Sequence, residues 1–135
     1  MREPHHPPRA GIELADVLHA LSDPARLAIV RTLRADGGEL PCGAFELGLS
    51  RATLSHHLRV LREAGVVRTR PEGRKRLVSL RVDDLEARFP GLIDAILDVP
   101  ESASANGAVR AAGERWHGAR RAAGAPDATV PPATV

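Results

Sequence analysis

Apolar positions recur at helical steps through the first half of the chain, alternate briefly in the middle, and return to helical spacing afterwards. In GIELADVLHALS (11–22), Ile12, Leu14, Val17, Leu18 and Leu21 share one broad helical face. In SDPARLAIVRTLRADGG, Leu27, Ile29, Val30 and Leu33 form the next stripe. Asp23 suits its N-cap, Pro24 its first helical position, and Gly37-Gly38 its end. PCGAFELG (41–48) has room for only a turn or two of helix. SRATLSHHLRVLREAG (50–65) then places Leu54, Leu58 and Leu61 on one side, with Ser50 as cap. Its other side crowds Arg51, Ser55, His56 and Arg59 near its beginning.

After Gly65 the period changes. VVRTR (66–70) and RKRLVSLR (74–81) read as two strands around PEG (71–73), with Pro71 placed for a type I turn and Gly73 for its close. VDDLEARFPGLIDAILDV (82–99) is helical again and is split near Pro90, which cannot continue a helix entered from before it. The order is helix, helix, short helix, helix, hairpin, helix, with the tight turn Gly48-Leu49-Ser50 before the fourth helix. That is the layout of a winged helix-turn-helix: mainly α, with a β-hairpin wing. The expected organisation is a disordered Pro- and His-rich arm over residues 1–10, the winged domain over 11–99, and a largely disordered Ala-, Gly- and Pro-rich tail over 100–135.

Composition narrows this further. With two Phe, one Trp and no Tyr, the core must be built from Leu, Val, Ile and Ala, which favours helices over an aromatic-rich sandwich. No apolar run approaches the roughly 18 residues that cross a bilayer, and MREPHHPPRA lacks the apolar stretch of a secretory signal. The expected location is the cytoplasm, without a membrane partner. A single cysteine, Cys42, excludes an internal disulfide framework and a multi-cysteine zinc site within one chain. The net charge of +2 says little, but its distribution says more. Residues 50–81 are strongly basic and 82–101 acidic, which suits one surface for a polyanion and a second for another task.

Three stretches resemble the ArsR/SmtB repressors, bacterial winged-helix transcription factors: LSDPARLAIVRTL, LSRATLSHHLRVLREAGVVRTR and EGRKRLVSLR. The resemblance covers most of residues 15–98 and implies a homodimer that binds a palindromic DNA operator and releases it when an inducer is sensed. On that reading the N-terminal end of the fourth helix enters the major groove, so Ser50, Arg51, Thr53, Ser55, His56 and Arg59 are the candidate contacts to base edges and phosphates. His57, beside the Leu54/Leu61 edge, reads as a packed or phosphate-bonded histidine rather than a base reader. The wing contributes Arg70, Arg74, Lys75 and Arg76, of which neighbours on a strand must face opposite sides.

The apolar stripes of the first and last helices exceed what one small core can cover. Pairing them across a twofold axis makes Val17, Leu18, Phe89, Leu92, Ile93 and Ile96 the expected dimer interface.

The sensing site departs from the family's metalloid pattern. Where those sensors carry paired cysteines, this chain has ELPCGAFEL, with one thiol and a proline. Asp94 and Asp98 sit one turn apart but have no histidine on their helix, and His5 and His6 lie in the arm; no metal site and no cofactor is expected. Cys42 is the one candidate redox sensor. Either it is exposed near a helix start, where the dipole lowers a thiol pKa, or it is buried and simply packs. No phosphate loop, nucleophile elbow or HExxH pair is present, and Ser55 and His56 diverge by about 100° on a helix, so an enzyme is not expected. A metal-responsive repressor and an architectural winged-helix module without sequence preference are the competing readings.

Overall fold

The computed structural model describes residues 4–45 and 47–100. It contains α1 (Leu14–Ala20), α2 (Pro24–Asp36), β1 (Leu40–Pro41), α3 (Arg51–Glu63), β2 (Val67–Glu72), β3 (Lys75–Leu80), α4 (Val82–Arg88) and α5 (Leu92–Leu97). The strands form one antiparallel sheet in the order β1-β3-β2.

Local chemistry explains most of the boundaries. Asp23 accepts from the Ala25 and Arg26 amides at 2.8 and 3.2 Å, which satisfies two of the orphan donors at the start of α2. Gly37 closes α2 with φ +74°. Ser50 caps α3 through the Thr53 amide at 3.1 Å. From α3, Leu58 and Leu61 are buried and Leu54 half-buried, as their spacing requires. They join Val17, Ile29, Leu33, Val66, Val78, Leu85 and Leu97 in the core, and each such aliphatic side chain contributes about 1.5–3 kcal/mol by leaving water.

Three features differ from the sequence expectation. The short third helix is a single 3₁₀ turn, Cys42–Ala44, preceded by a two-residue strand that pairs with β3 through Leu40 and Val78. Pro41 and Gly43 leave no uninterrupted run for an α-helix there. The hairpin turn is Gly73-Arg74, not a type I turn at Pro71. Gly73 has φ +59° at the first central position, the primed geometry whose twist matches the strands. Pro71 instead pairs with Arg76 inside edge strand β2, at a position whose missing N–H faces away from the ladder. The last helical stretch is split near Pro90 as expected, into α4 and α5, with Gly91 at φ +76° between them.

The third difference is the N-terminal arm, which was expected to be disordered to residue 10. Residues 4–12 are instead held against β2 and α4 by polar contacts that composition does not reveal. His6 Nε2 accepts the Thr69 amide at 3.0 Å, on the unpaired edge of β2. The Pro7 carbonyl accepts from Arg81 at 2.7 Å, and Arg9 pairs with Asp84 at 2.7 Å. Arg88 donates twice to the Ile12 carbonyl, and the Ile12 side chain is fully buried. The tail from residue 101 lies outside the described residues.

Two measurements follow. Gly65 has φ +86°, and a Cβ there would lie 2.6 Å from the Ile12 side chain. Gly65→Ala should therefore cost about 2–4 kcal/mol of unfolding free energy by denaturant melt. Gly91→Ala, with positive φ but open space, should cost only about 1 kcal/mol. The second concerns Asp84, whose carboxyl is held below the usual carboxylate range by its bond from Arg9 and then by Arg81, against the opposing effect of burial. Because the folded pKa is depressed, this stabilisation is present above the unfolded pKa and is lost as pH falls through the folded one. Stability measured from pH 6 downward should decline less steeply in Asp84→Asn than in the parent, and the variant's arm should become more sensitive to protease at Arg9.

Candidate nucleic-acid interface

The outward side of α3 begins at a cap that consumes two of its own hydroxyls. Ser50 Oγ accepts the Thr53 amide and shares a 2.9 Å bond with Thr53 Oγ1, so both hydroxyls organise the helix start as well as facing solvent. Beyond them Arg51, Ser55, His56 and Arg59 are all exposed, opposite the leucine face. These side chains offer cationic and neutral donors together with acceptors, the set that reads base edges and phosphates.

His57 differs from its neighbour. It is half-buried, with Nδ1 3.0 Å from Arg26 Nη1. Arg26 is only 8 % exposed and also donates through Nε to the Ala20 carbonyl at 2.6 Å. One guanidinium thereby joins the end of α1, the first turn of α2 and the middle of α3. Sequence reasoning placed His57 correctly at the packed edge but passed over Arg26. The available signal was a charged residue three positions before Ile29 and four before Val30, on the apolar face of α2.

The wing divides its cations between two roles. Arg70, expected to probe phosphates, is held by Glu39 just before β1, with bonds of 2.6 and 2.9 Å, and also lies 3.6 Å from Glu72. Its guanidinium is a clamp between β2 and the β1 segment. Arg74 is exposed at the hairpin tip. Lys75 pairs across the ladder with Glu72 and Arg76 with Pro71, so these two exposed residues lie on opposite faces of the sheet, as strand alternation demands.

Comparison with known proteins matches this geometry. A helix-turn-helix domain model matches residues 21–70. The HTH-type transcriptional regulator YceK of Bacillus subtilis is 42% identical over 84 residues, 61% of this chain and 84% of the relative. The arsenical resistance operon repressor of Staphylococcus xylosus is 40% identical over 76 residues, 55% of this chain and 71% of that protein. The crystal structure of the transcriptional repressor BigR from Xylella fastidiosa superposes with a TM-score of 0.52 at 35% identity, covering 66% of this chain and 87% of that one. The chain belongs to the ArsR family of winged helix-turn-helix transcriptional regulators. It is a DNA-binding transcriptional regulator.

Within this ArsR-family protein, the positions considered for sensing are occupied by ordinary structural contacts. Cys42 is half-buried, and burial pushes its thiol above the ordinary value, with Arg76 and a backbone hydrogen bond acting in the opposite direction. The residue opens a three-residue 3₁₀ turn, which lacks the aligned dipole of an α-helix start that would lower a thiol pKa. Asp94 and Asp98 both pair with Arg34 of α2, at 3.1 and 3.0 Å, and Arg31 donates to the Leu97 carbonyl, so α5 is clasped to α2. Among the described residues no group of three or more His, Cys, Asp or Glu is placed to hold a metal ion. No helix among them is long and apolar enough to cross a membrane.

The expected dimer residues also separate. Val17 and Ile93 are buried in the chain's own core. Leu18 is exposed, and Phe89, Leu92 and Ile96 are half-buried. Leu14, Val82 and Val99, which were not singled out, are exposed as well.

The division of the wing is measurable from the salt dependence of DNA affinity. Arg74→Ala should lower the slope of log K against log salt by about 0.9, the signature of one lost phosphate contact. Arg70→Ala should leave the slope unchanged and instead lower the melting temperature, because Glu39 already holds that guanidinium.

Proposed function

We propose that this ArsR-family regulator is a cytoplasmic homodimeric repressor that binds a palindromic operator in double-stranded DNA through α3 and the wing, and releases it in response to an inducer. The observation that carries the reading is the capped start of α3, where Arg51, Ser55, His56 and Arg59 are all exposed opposite a leucine face committed to the core. A solvated helix face would need neither that clustering nor a second set of cations on the adjoining hairpin. Leu14 and Leu18 of α1 and Val99 beyond α5 leave apolar surface that a twofold partner would cover. Such a dimer presents two α3 helices to half-sites about 34–36 Å apart. Cys42 is half-buried, which favours a packing role at rest, so thiol-driven release requires that thiol to become more exposed first.

Fluorescence anisotropy of the purified protein on its own upstream DNA against a scrambled duplex, at fixed salt, tests the reading. Preferential binding to the upstream duplex is expected, and equal binding would favour an architectural module. Repeating it with reductant and then mild oxidant on the wild type and Cys42→Ser tests the thiol. Release on oxidation in the wild type alone would make Cys42 the sensor, and release in both would exclude it. Leu18→Glu, at a position 46% exposed, should leave the fold intact while converting the dimer to monomer in analytical ultracentrifugation. Its operator affinity should fall by about 100-fold or more as the two half-sites uncouple.

A further inference from the structure

His57 stands on the boundary between the buried and outward faces of α3, and its surroundings settle which of its nitrogens carries the proton. Arg26 Nη1 lies 3.0 Å from His57 Nδ1. A guanidinium has donors only, so Nδ1 is the acceptor and the ring proton resides on Nε2. Arg26 is itself immobilised, because its Nε is committed to the Ala20 carbonyl at 2.6 Å and the residue is 8 % exposed. The two nitrogens of an imidazole point in divergent directions, so the Nε2–H is aimed away from Arg26. Among the described residues Nε2 has no hydrogen-bond partner and is not enclosed, although the residue as a whole is half-buried. Beside it the exposed His56 ring lies 5.9 Å away, centroid to centroid, on the face of α3 that carries the other donors.

We infer that His57 is a neutral, single-tautomer hydrogen-bond donor to a DNA backbone phosphate, and that Arg26 is the positioning residue that sets its tautomer. The inference rests on the DNA-binding reading above. A backbone acceptor is favoured over a base edge because His57 is half-buried and so recessed relative to His56 and Arg59, which are exposed on the outward face. A donor that is fixed before DNA arrives loses no rotamer freedom on binding. Being uncharged, it adds affinity without adding a cation to the counterion balance.

The test has two arms on the full chain. In the free protein labelled with ¹⁵N-histidine, long-range ¹H–¹⁵N correlation at neutral pH should show His57 protonated at Nε2 and bare at Nδ1. A proton on Nδ1, or on both nitrogens, overturns the proposal without reference to DNA. On upstream DNA, His57→Leu should weaken binding about tenfold with an unchanged salt slope. His57→Gln, whose amide can accept from Arg26 and still donate outward, should recover most of that loss. In a scan of single methylphosphonate substitutions, one phosphate should matter to the wild type and not to His57→Leu. Wild-type-like affinity of His57→Leu, an equal response of both proteins at every phosphate, or coupling to a base pair instead, each overturns the phosphate assignment. Absence of wild-type preference for upstream DNA would sink the operator reading alone, and the tautomer measurement would still judge the Arg26–His57 contact.

Discussion

A cation removed from water must find acceptors, and the arrangement of the first three helices depends on how Arg26 finds them. Left unpaired, a charge this deeply buried would cost several kcal/mol. It is satisfied by the carbonyl at the end of α1 and by the imidazole of α3, two groups far apart in sequence that meet only when the helices are packed. The leucine face of α3 supplies attraction to the core without a unique rotation, since apolar contacts are non-directional. The directional bonds through Arg26 restrict how α3 can turn about its own axis. The outward set of Arg51, Ser55, His56 and Arg59 therefore inherits its orientation from a residue that touches none of them.

The same physics recurs at the other arginines. Arg81 is 6% exposed and is met by Asp84 and the Pro7 carbonyl; Arg88 is met by the Ile12 carbonyl; Arg34 and Arg31 clasp α5; Arg70 ties β2 to Glu39. A core short of aromatic residues buries modest apolar area per side chain, and long guanidinium forks cover the gaps between elements while reaching backbone carbonyls and carboxylates at their margins. The basic character of this chain is thus divided. Part of it builds the domain, and the part left on α3 and the hairpin tip is available to a polyanion. The regulator's family membership accords with that division, because a winged helix-turn-helix needs a rigid platform behind a cationic surface.

The features that were legible before folding are those governed by short-range chemistry. Asp23-Pro24 and Ser50 announced the starts of α2 and α3 because an N-cap oxygen serves amides two or three residues away. The spacing of Leu54, Leu58 and Leu61 announced the buried face because helical period relates residues within two turns. The bond of Arg70 to Glu39 was not legible because that partner lies 31 positions earlier in the chain. The arm was misread as disordered because nothing in Pro- and His-rich composition shows that edge strand β2 offers an unpaired amide to His6. Cys42 was left between two readings because burial, which raises its thiol pKa, comes from packing against the assembled core.

By itself, then, the order of residues determined the succession of helices and hairpin, the core-facing stripes, and the cluster of donors at the start of α3, since each is set by neighbours within a few positions. Only the tertiary structure decided which arginines are bound internally and which face solvent, that Val17 and Ile93 belong to the core, and that His57 presents Nε2 rather than Nδ1. Those outcomes depend on hydrogen-bond partners that are distant in sequence, and such partners exist only once packing has brought them within about 3 Å of one another.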